Sequence, residues 1–271
     1  MYKLYFSETV LRPLFAMGIG LVLYVFLAVM GTPVALADAS KVVGPTKCTE
    51  CHKATGAVWE GTHHFSTFRD MPRAKEGREI AKKMGFKRIK AGSLCLNCHF
   101  TSVAKAAKPK PISGISCESC HGGGKDWIKV HSEFSGKKKA GESVDEKKAR
   151  WAMAEAKGMI RPKEMYRWAK NCYACHTVPN EKLVNVGGHT PGSPFELVAW
   201  SQGEVRHNLW YTKTNDPASD VRKNLMYVVG QAVELETALR AVGKATKKKT
   251  YALKMAKRAS AARKRFYKIA K

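Results

Sequence analysis

All eight cysteines of this 271-residue chain lie in the pattern Cys-x-x-Cys-His, which occurs four times. This spacing is typical of covalent haem c attachment, in which two thiols join one porphyrin and the adjacent imidazole reaches the iron from the proximal face. A zinc site would need a second cysteine pair or histidines at a wider spacing, and a disulfide framework would not place a histidine after every pair. The motifs therefore predict four covalently bound haem c groups. The attachment cysteines are Cys48, Cys51, Cys95, Cys98, Cys117, Cys120, Cys172 and Cys175, and the proximal iron ligands are His52, His99, His121 and His176.

Residues 1–37 have the composition of a cleaved signal peptide. Lys3 and Arg12 give a positive start, an apolar run extends from Leu14 to Met30, and Ala35-Leu36-Ala37 supplies the small residues of a cleavage site. An uncleaved membrane anchor is the alternative, because the apolar run approaches the roughly 20 residues that span a bilayer. Both alternatives place the remaining chain outside the cytoplasm, and we expect a periplasmic protein.

The mature chain is expected to be mainly α, with short helices and loops wrapped around four haems and little or no β-structure. Each porphyrin is a large apolar surface, so four of them replace much of a conventional core, and the sequence contains no convincing strand. Ala104 to Ile112, with its Lys-Pro-Lys-Pro run, is predicted as a loop or extended segment. A charged connector at 136–148 precedes a predicted helix from Ala149 to about Met159. Residues 38–243 form the predicted haem domain.

The clearest predicted helix follows Asp216-Pro217, which suit the N-cap and the first helical position. Apolar residues between Val221 and Val242 recur at three- and four-residue steps, and Gly243 is the expected stop. Residues 244–271 are predicted to be a basic helical tail, with a helix from about Thr250 to Ile269.

That tail holds twelve Lys or Arg and no acid, and the whole chain has a formal net charge of +26. Leu253, Ala256 and Phe266 give the tail helix only a thin apolar stripe, so we expect it to order weakly or only on a partner. A strongly basic surface speeds encounter with acidic molecules and loses this effect in salt. The partners indicated are acidic redox proteins or an anionic membrane surface. Nucleic acid is not expected for an exported chain.

Five histidines remain to serve as the sixth ligand of an iron: His63, His64, His131, His189 and His207. Methionine is the other common axial ligand, but nine histidines in a four-haem chain favour bis-histidine ligation. His63 and His64 are adjacent, so their side chains point apart and only one is expected to ligate.

Two stretches resemble the cytochrome c-554 family of tetrahaem electron carriers of ammonia oxidation. One is Trp59-Glu-Gly-Thr-His-His64, after the first motif, and the other is Gly114-Ile-Ser-Cys117-Glu-Ser-Cys120-His121-Gly, with His131 ten residues after the motif histidine. The order of the four motifs and a helical histidine before a basic C-terminus are also similar.

The resemblance implies that His64 rather than His63 is a distal ligand, because the family's ligand lies five residues after the tryptophan. It also supports His131 and, more loosely, His207. In that family three haems are bis-histidine and the second is five-coordinate. His189 leaves two alternatives open: it ligates the haem at Cys95 and Cys98, or it is a loop residue and that iron has an open position.

These observations favour an electron carrier over an enzyme. By resemblance, the partners would be a multihaem oxidoreductase of the hydroxylamine type and a quinone-linked membrane cytochrome. The alternative is nitric oxide or hydroxylamine reduction at a five-coordinate second haem near Cys95, Cys98 and His99. A third hypothesis is permanent docking, through the basic tail, on a larger multihaem complex or a membrane.

Overall fold

The computed structural model describes residues 37–91, 94–105, 108–209 and 213–269. The predicted signal peptide, except for Ala37, lies outside the described residues. Within them the chain is mostly helical with a long helix near the C-terminus, which confirms the predicted fold class. None of the described helices combines the length and the apolar character needed to cross a membrane.

The described α-helices are mostly short, and two long ones close the chain. In chain order they are α1 Pro45–Thr49, α2 Lys53–Glu60, α3 His63–Asp70, α4 Lys75–Lys83, α5 Cys95–His99, α6 Cys117–His121, α7 Ile128–Ser132, α8 Val144–Ala156, α9 Met165–His176, α10 Glu181–Asn185, α11 Leu197–Ser201, α12 Asp220–Lys244 and α13 Thr250–Ile269. Single 3₁₀ turns lie at Met71–Arg73, Gly124–Asp126, Phe134–Gly136 and Lys139–Gly141.

An antiparallel hairpin joins the second motif to the third. Its strands are β1 Thr101–Lys105 and β2 Lys108–Ser113, with Thr101 opposite Ser113. The extended conformation was one of the two predicted for this segment, and these two short strands agree with the expectation of little β-structure. Two prolines in β2 lack an N–H, which restricts such a strand to the edge of a sheet. The Thr101 hydroxyl lies 2.7 Å from the Ser119 hydroxyl, so the hairpin fixes the third motif against the second.

Buried apolar side chains in the described chain form three separate small clusters. The cluster of α9, α11 and α12 includes Tyr173, Leu197 and Met226. The cluster beside the second motif contains Ala81, Ile89, Cys95, Leu96 and Phe100. A third, at Val184, Ala241, Tyr251 and Met255, joins α10 to the two C-terminal helices. Such divided packing agrees with the expectation that cofactors supply much of the core.

The helix between the third and fourth motifs begins earlier than predicted. It starts at Val144 and ends at Ala156, so the predicted span of Ala149 to Met159 was displaced. Ser143 accepts a hydrogen bond from the Glu146 N–H, and the Glu146 carboxylate accepts one from the Ser143 N–H. This capping box satisfies two otherwise unpaired donors, and apolar periodicity alone did not reveal it.

The long helix α12 begins at Asp220, after the N-cap Ser219, whose hydroxyl accepts a hydrogen bond from the Arg222 N–H. Asp216 and Pro217 precede the helix and were wrongly predicted to start it. Serine and aspartate are equally favourable N-cap residues. The sequence alone therefore did not show whether the helix starts after Asp216 or after Ser219.

The basic helix α13 packs on α12 through a buried stripe of Tyr251, Met255, Ala259 and Ala262. The predicted apolar stripe, which included Leu253, is on a different side of the helix from this buried one, and Leu253 is 55% exposed. The expectation that this helix orders weakly or only on a partner was wrong.

A buried carboxylate explains why the basic helix docks within its own chain. Glu234 of α12 receives Arg258 Nε at 3.0 Å and an Arg265 guanidinium nitrogen at 2.8 Å, both from α13. Arg258 also donates to the backbone carbonyls of His176 and Ser193. Two of the tail's cations are therefore used to attach it beside the fourth motif.

Candidate haem-binding site

Each Cys-x-x-Cys-His motif lies in or beside a helix. The second and third motifs are α5 and α6 themselves, and the fourth is the last turn of α9. The first motif begins within α1 at Cys48 and ends at His52, directly before α2. Residues three apart share a face of a helix. The two cysteines of a motif are therefore on one side, as attachment to a single porphyrin requires.

All four motifs open into one cavity of about 2200 Å³, which is lined by all eight motif cysteines. A pocket for one small ligand usually has a volume of about 300–1,000 Å³. The cavity therefore has room for more than one large cofactor.

Each proximal histidine faces one of the histidines singled out as distal candidates. An iron with an imidazole on both sides, at metal–nitrogen distances of about 2 Å, separates the ring centroids by roughly 6 Å. The four observed centroid separations all have this value: His52–His131 6.3 Å, His64–His176 6.3 Å, His99–His189 6.2 Å and His121–His207 6.1 Å.

The pairs join residues that are distant in the sequence. His131, ten residues beyond the third motif, faces His52 of the first motif. His64, close to the first motif, faces His176 of the fourth. Sequence proximity therefore does not indicate which iron a distal histidine serves.

Hydrogen bonds at Nδ1 orient several of the paired imidazoles. The Nδ1 atoms of His121, His131, His189 and His207 lie 2.6–2.9 Å from the backbone oxygens of Ile160, Ile128, Thr190 and Val205. A carbonyl oxygen only accepts, so Nδ1 donates and the lone pair lies on Nε2. That tautomer is the one that ligates through Nε2. His189 is held in the same way as His131 and His207.

His63 differs from His64 in both exposure and hydrogen bonding. Its side chain is 91% exposed, and its Nδ1 lies 2.9 Å from the Glu204 carboxylate. Burial lowers the pKa of His64, whose ring lies within the cavity opposite His176. Of the two adjacent histidines, His64 has the placement of a ligand.

The buried proximal imidazoles are neutral. Burial is the main cause that lowers the pKa of His99, His121 and His176 to about 4 in each case, and neighbouring histidines lower it further. An iron ligand must be the unprotonated imidazole, so these rings already have the required form at neutral pH.

Contacts between motif cysteines show which attachment sites are neighbours. The Cys48 and Cys117 side chains lie close enough to interact directly, which places the first and third sites together. Cys98 and Cys175 make the corresponding contact between the second and fourth sites. Asn171, before the fourth motif, donates to the backbone oxygens of Ser119 and Cys120, and so connects the two pairs.

Two buried polar atoms on the cavity wall fit a cofactor that carries carboxylates. Trp127 Nε1 and Ser102 Oγ have no hydrogen-bond partner among the described residues, and both residues line the cavity. Buried donors without a partner are rare in folded proteins. Haem propionates would accept hydrogen bonds from them, so the residues present fit haem c.

Glu118, inside the third motif, is a structural residue that the sequence did not reveal. Its fully buried carboxylate accepts hydrogen bonds from the backbone N–H groups of Val43, Gly44 and Gly124 at 2.7–2.8 Å. The chain entering the first motif is thereby attached to the third.

These features define a c-type cytochrome with covalently bound haem c, an electron-carrying protein. Residues 47–122 match the model of a family described as cytochrome c554 and c-prime. The chain is also 27% identical over 169 residues to cytochrome c-554 of Nitrosomonas europaea, a match that covers 59% of this chain and 68% of that protein. The predicted resemblance to the cytochrome c-554 family is confirmed. No solved structure matches the chain significantly.

Proposed function

We propose that this chain is an exported, periplasmic tetrahaem electron carrier in which every iron has two axial histidines. The observation that carries the proposal is the set of four histidine pairs with ring centroids 6.1–6.3 Å apart. An iron with two such ligands has no position open to a substrate, and its electron transfer makes and breaks no bond.

The residues of the chain have separate roles. The eight motif cysteines attach the porphyrins, and haem, once attached, supplies one-electron chemistry. His52, His99, His121 and His176 would be the proximal ligands, and His131, His189, His207 and His64, which face them in that order, would be the distal ligands. The backbone carbonyls at Nδ1 hold the imidazoles of His121, His131, His189 and His207 in place, which would make them better iron ligands.

The neighbouring attachment sites support transfer within the chain. Contacts at Cys48–Cys117 and Cys98–Cys175 bring haems one and three together, and likewise two and four. Asn171 connects the pairs at the third and fourth motifs. The proposed carrier therefore has a continuous series of haems from the first site to the second.

The pair His99–His189 opposes the reductase alternative. Reduction of nitric oxide or hydroxylamine at the second haem requires an open iron position, and His189 is oriented to fill it. In this respect we propose that the chain departs from the five-coordinate second haem that its resemblance implied.

The proposed partners follow from resemblance and charge. A multihaem oxidoreductase of the hydroxylamine type would supply electrons, and a quinone-linked membrane cytochrome would receive them, in nitrogen metabolism. The net charge of +26 favours acidic partners. Residues 1–37 would act as the cleaved signal peptide.

Carbon monoxide binding to the reduced protein tests the proposal, since this ligand requires an open ferrous position. The dithionite-reduced wild-type protein should show no carbon monoxide difference spectrum. His189→Ala should bind one carbon monoxide per four haems, while the matched variant His63→Ala should bind none. Stoichiometric binding by the wild type would contradict the proposal and favour the reductase.

A further inference from the structure

A second cavity, of about 620 Å³, lies at the C-terminal half of α4 and the segment that follows it. Nine residues line it, of which five are basic and none is acidic. We call this cavity the basic pocket. Its basic residues are Arg78, Lys82, Lys87, Arg88 and Lys90.

The charges of the basic pocket are not neutralised by the chain's own acids. None of the ion pairs between described residues involves any of its five cations. Lys90 Nζ lies 3.2 Å from the Phe68 ring centroid, a cation–π contact that holds it in place. Burial, together with the neighbouring Arg73, lowers the pKa of Lys90. The pocket is therefore a concentration of uncompensated positive charge.

The floor of the basic pocket is also the wall of the second haem site. Ala81 and Ile89 line the pocket, are 2% and 3% exposed, and pack in the same cluster as Cys95. The loop that carries His189 contacts the same helix end, since a Cβ on Gly187 would lie 3.1 Å from Met84 Sδ. The helix that carries His99 and the loop that carries His189, the two proposed ligands of the second iron, therefore both lie next to the basic pocket.

We propose that the basic pocket docks an acidic segment of a redox partner protein, so that electrons enter or leave through the second haem. One electron passes between the partner's redox centre and the second haem iron, and one centre is oxidised as the other is reduced. The inference rests on the proposed carrier function and identifies where its partner binds.

The concave shape and the charge of the basic pocket favour an acidic protein segment as its ligand. Its five cations surround a concave surface with Phe86 and Ile89 among its lining residues. Carboxylate side chains on a projecting loop can enter such a concavity and meet several cations at once, whereas a flat membrane surface would contact the rim. Charge complementarity at the docking site raises the rate of association and fixes the orientation.

A charge-reversal pair of variants tests the location in the fully haem-loaded protein. Lys82→Glu/Lys87→Glu/Arg88→Glu alters exposed residues of the pocket. The control, Lys257→Glu/Lys264→Glu/Lys268→Glu, makes the same change in net charge on exposed residues of α13. The probe is a short polyglutamate peptide, titrated by calorimetry. We expect the pocket variant to bind it about tenfold more weakly, and the control less than twofold more weakly.

Reduction kinetics test whether this surface leads to a haem. The anionic reductant Fe(II)-EDTA, which is oxidised to Fe(III) as it donates an electron, is followed by stopped-flow absorbance. Its rate should fall at least fivefold in the pocket variant and less than twofold in the control. Equal losses in both variants would mean diffuse charge only, and a larger loss in the control would assign docking to α13. Either result overturns the inference.

Two further measurements distinguish protein docking at the basic pocket from membrane binding and from the proposed electron-carrier function. If the pocket variant loses binding only to vesicles of anionic phosphatidylglycerol, the pocket serves a membrane and the protein-docking inference is wrong. The absorption spectrum of each variant should keep the low-spin form. A low-spin spectrum with unchanged peptide binding would remove the docking inference and leave the carrier function intact.

Discussion

Residues 47–122 and residues 123–269 contribute to the haem sites in different ways. The first region contains three of the four motifs and matches the family model. The second contains one motif and three of the four distal candidates. Each of the four histidine pairs takes one member from each region. Neither region therefore has a complete pair of axial ligands, and the proposed irons join the two.

This division separates attachment from coordination. Attachment is local, because two cysteines and a histidine within one helical turn are sufficient. Coordination is a tertiary property, because the distal imidazole must arrive from a remote segment. We therefore expect the folding of each region to depend on the irons that it shares with the other. Changes far from the irons should have the smallest effect on stability.

Removal of haem should have the largest effect. Protein produced without the haem-attachment machinery should show no cooperative unfolding transition and no near-ultraviolet circular dichroism, because a cavity of about 2200 Å³ would lose its contents. The helices α12 and α13 pack on each other through the buried stripe of α13, and they should retain part of the far-ultraviolet signal. A cooperative transition in this apoprotein would show that the two regions pack without iron.

Loss of the Glu118 carboxylate should have the next largest effect, although it removes no haem ligand. Glu118→Ala leaves the N–H groups of Val43, Gly44 and Gly124 without an acceptor, and the last two are buried. We expect the free energy of unfolding to fall by about 3–5 kcal/mol, measured by urea denaturation of the haem-loaded protein. Glu118→Gln, which retains one acceptor oxygen, should cost less. A loss below about 1 kcal/mol for the alanine variant would contradict this role.

The docking of the basic helix should depend moderately on Glu234. Glu234→Gln removes the charge that Arg258 and Arg265 share, and we expect a loss of about 1–2 kcal/mol in the free energy of unfolding. Trypsin should cleave α13 faster in this variant, with an unchanged haem spectrum. Unaltered cleavage would show that the apolar stripe of α13 holds the helix alone.

The cap of α8 should have the smallest effect, because that helix supplies no paired histidine. Ser143→Ala removes the hydroxyl that accepts from the Glu146 N–H, and it should lower the free energy of unfolding by about 1 kcal/mol. Absorbance of the haems should remain low-spin. A high-spin component would mean that α8 is coupled to a haem site after all.

The attachment residues could be predicted from the sequence because their chemistry is carried by a short local pattern. The sequence also supplied four distal candidates, His64, His131, His189 and His207, and each of them faces a motif histidine at 6.1–6.3 Å between ring centroids. Apart from the alternative that His189 serves the haem at Cys95 and Cys98, it did not assign them to motifs, because each imidazole faces a motif other than the nearest one in the sequence. His131 opposite His52, rather than His121, is the clearest case.

The errors in the fold have a similar cause. The tail helix was expected to be weakly ordered because its own apolar stripe is thin. Its anchor is Glu234, on a different helix, and no spacing within the tail reveals that ion pair. The early start of α8 depended on the hydrogen bonds between Ser143 and Glu146, which apolar periodicity does not report.

The central claim is that all four irons have two histidine ligands, each pair drawn from both regions. The most direct measurement is low-temperature electron paramagnetic resonance of the oxidised protein, with the haems counted by the pyridine haemochrome assay. We predict four haems per chain and only low-spin ferric signals. A high-spin ferric signal from one haem in four would contradict the claim, and would show that His189 leaves the second iron open.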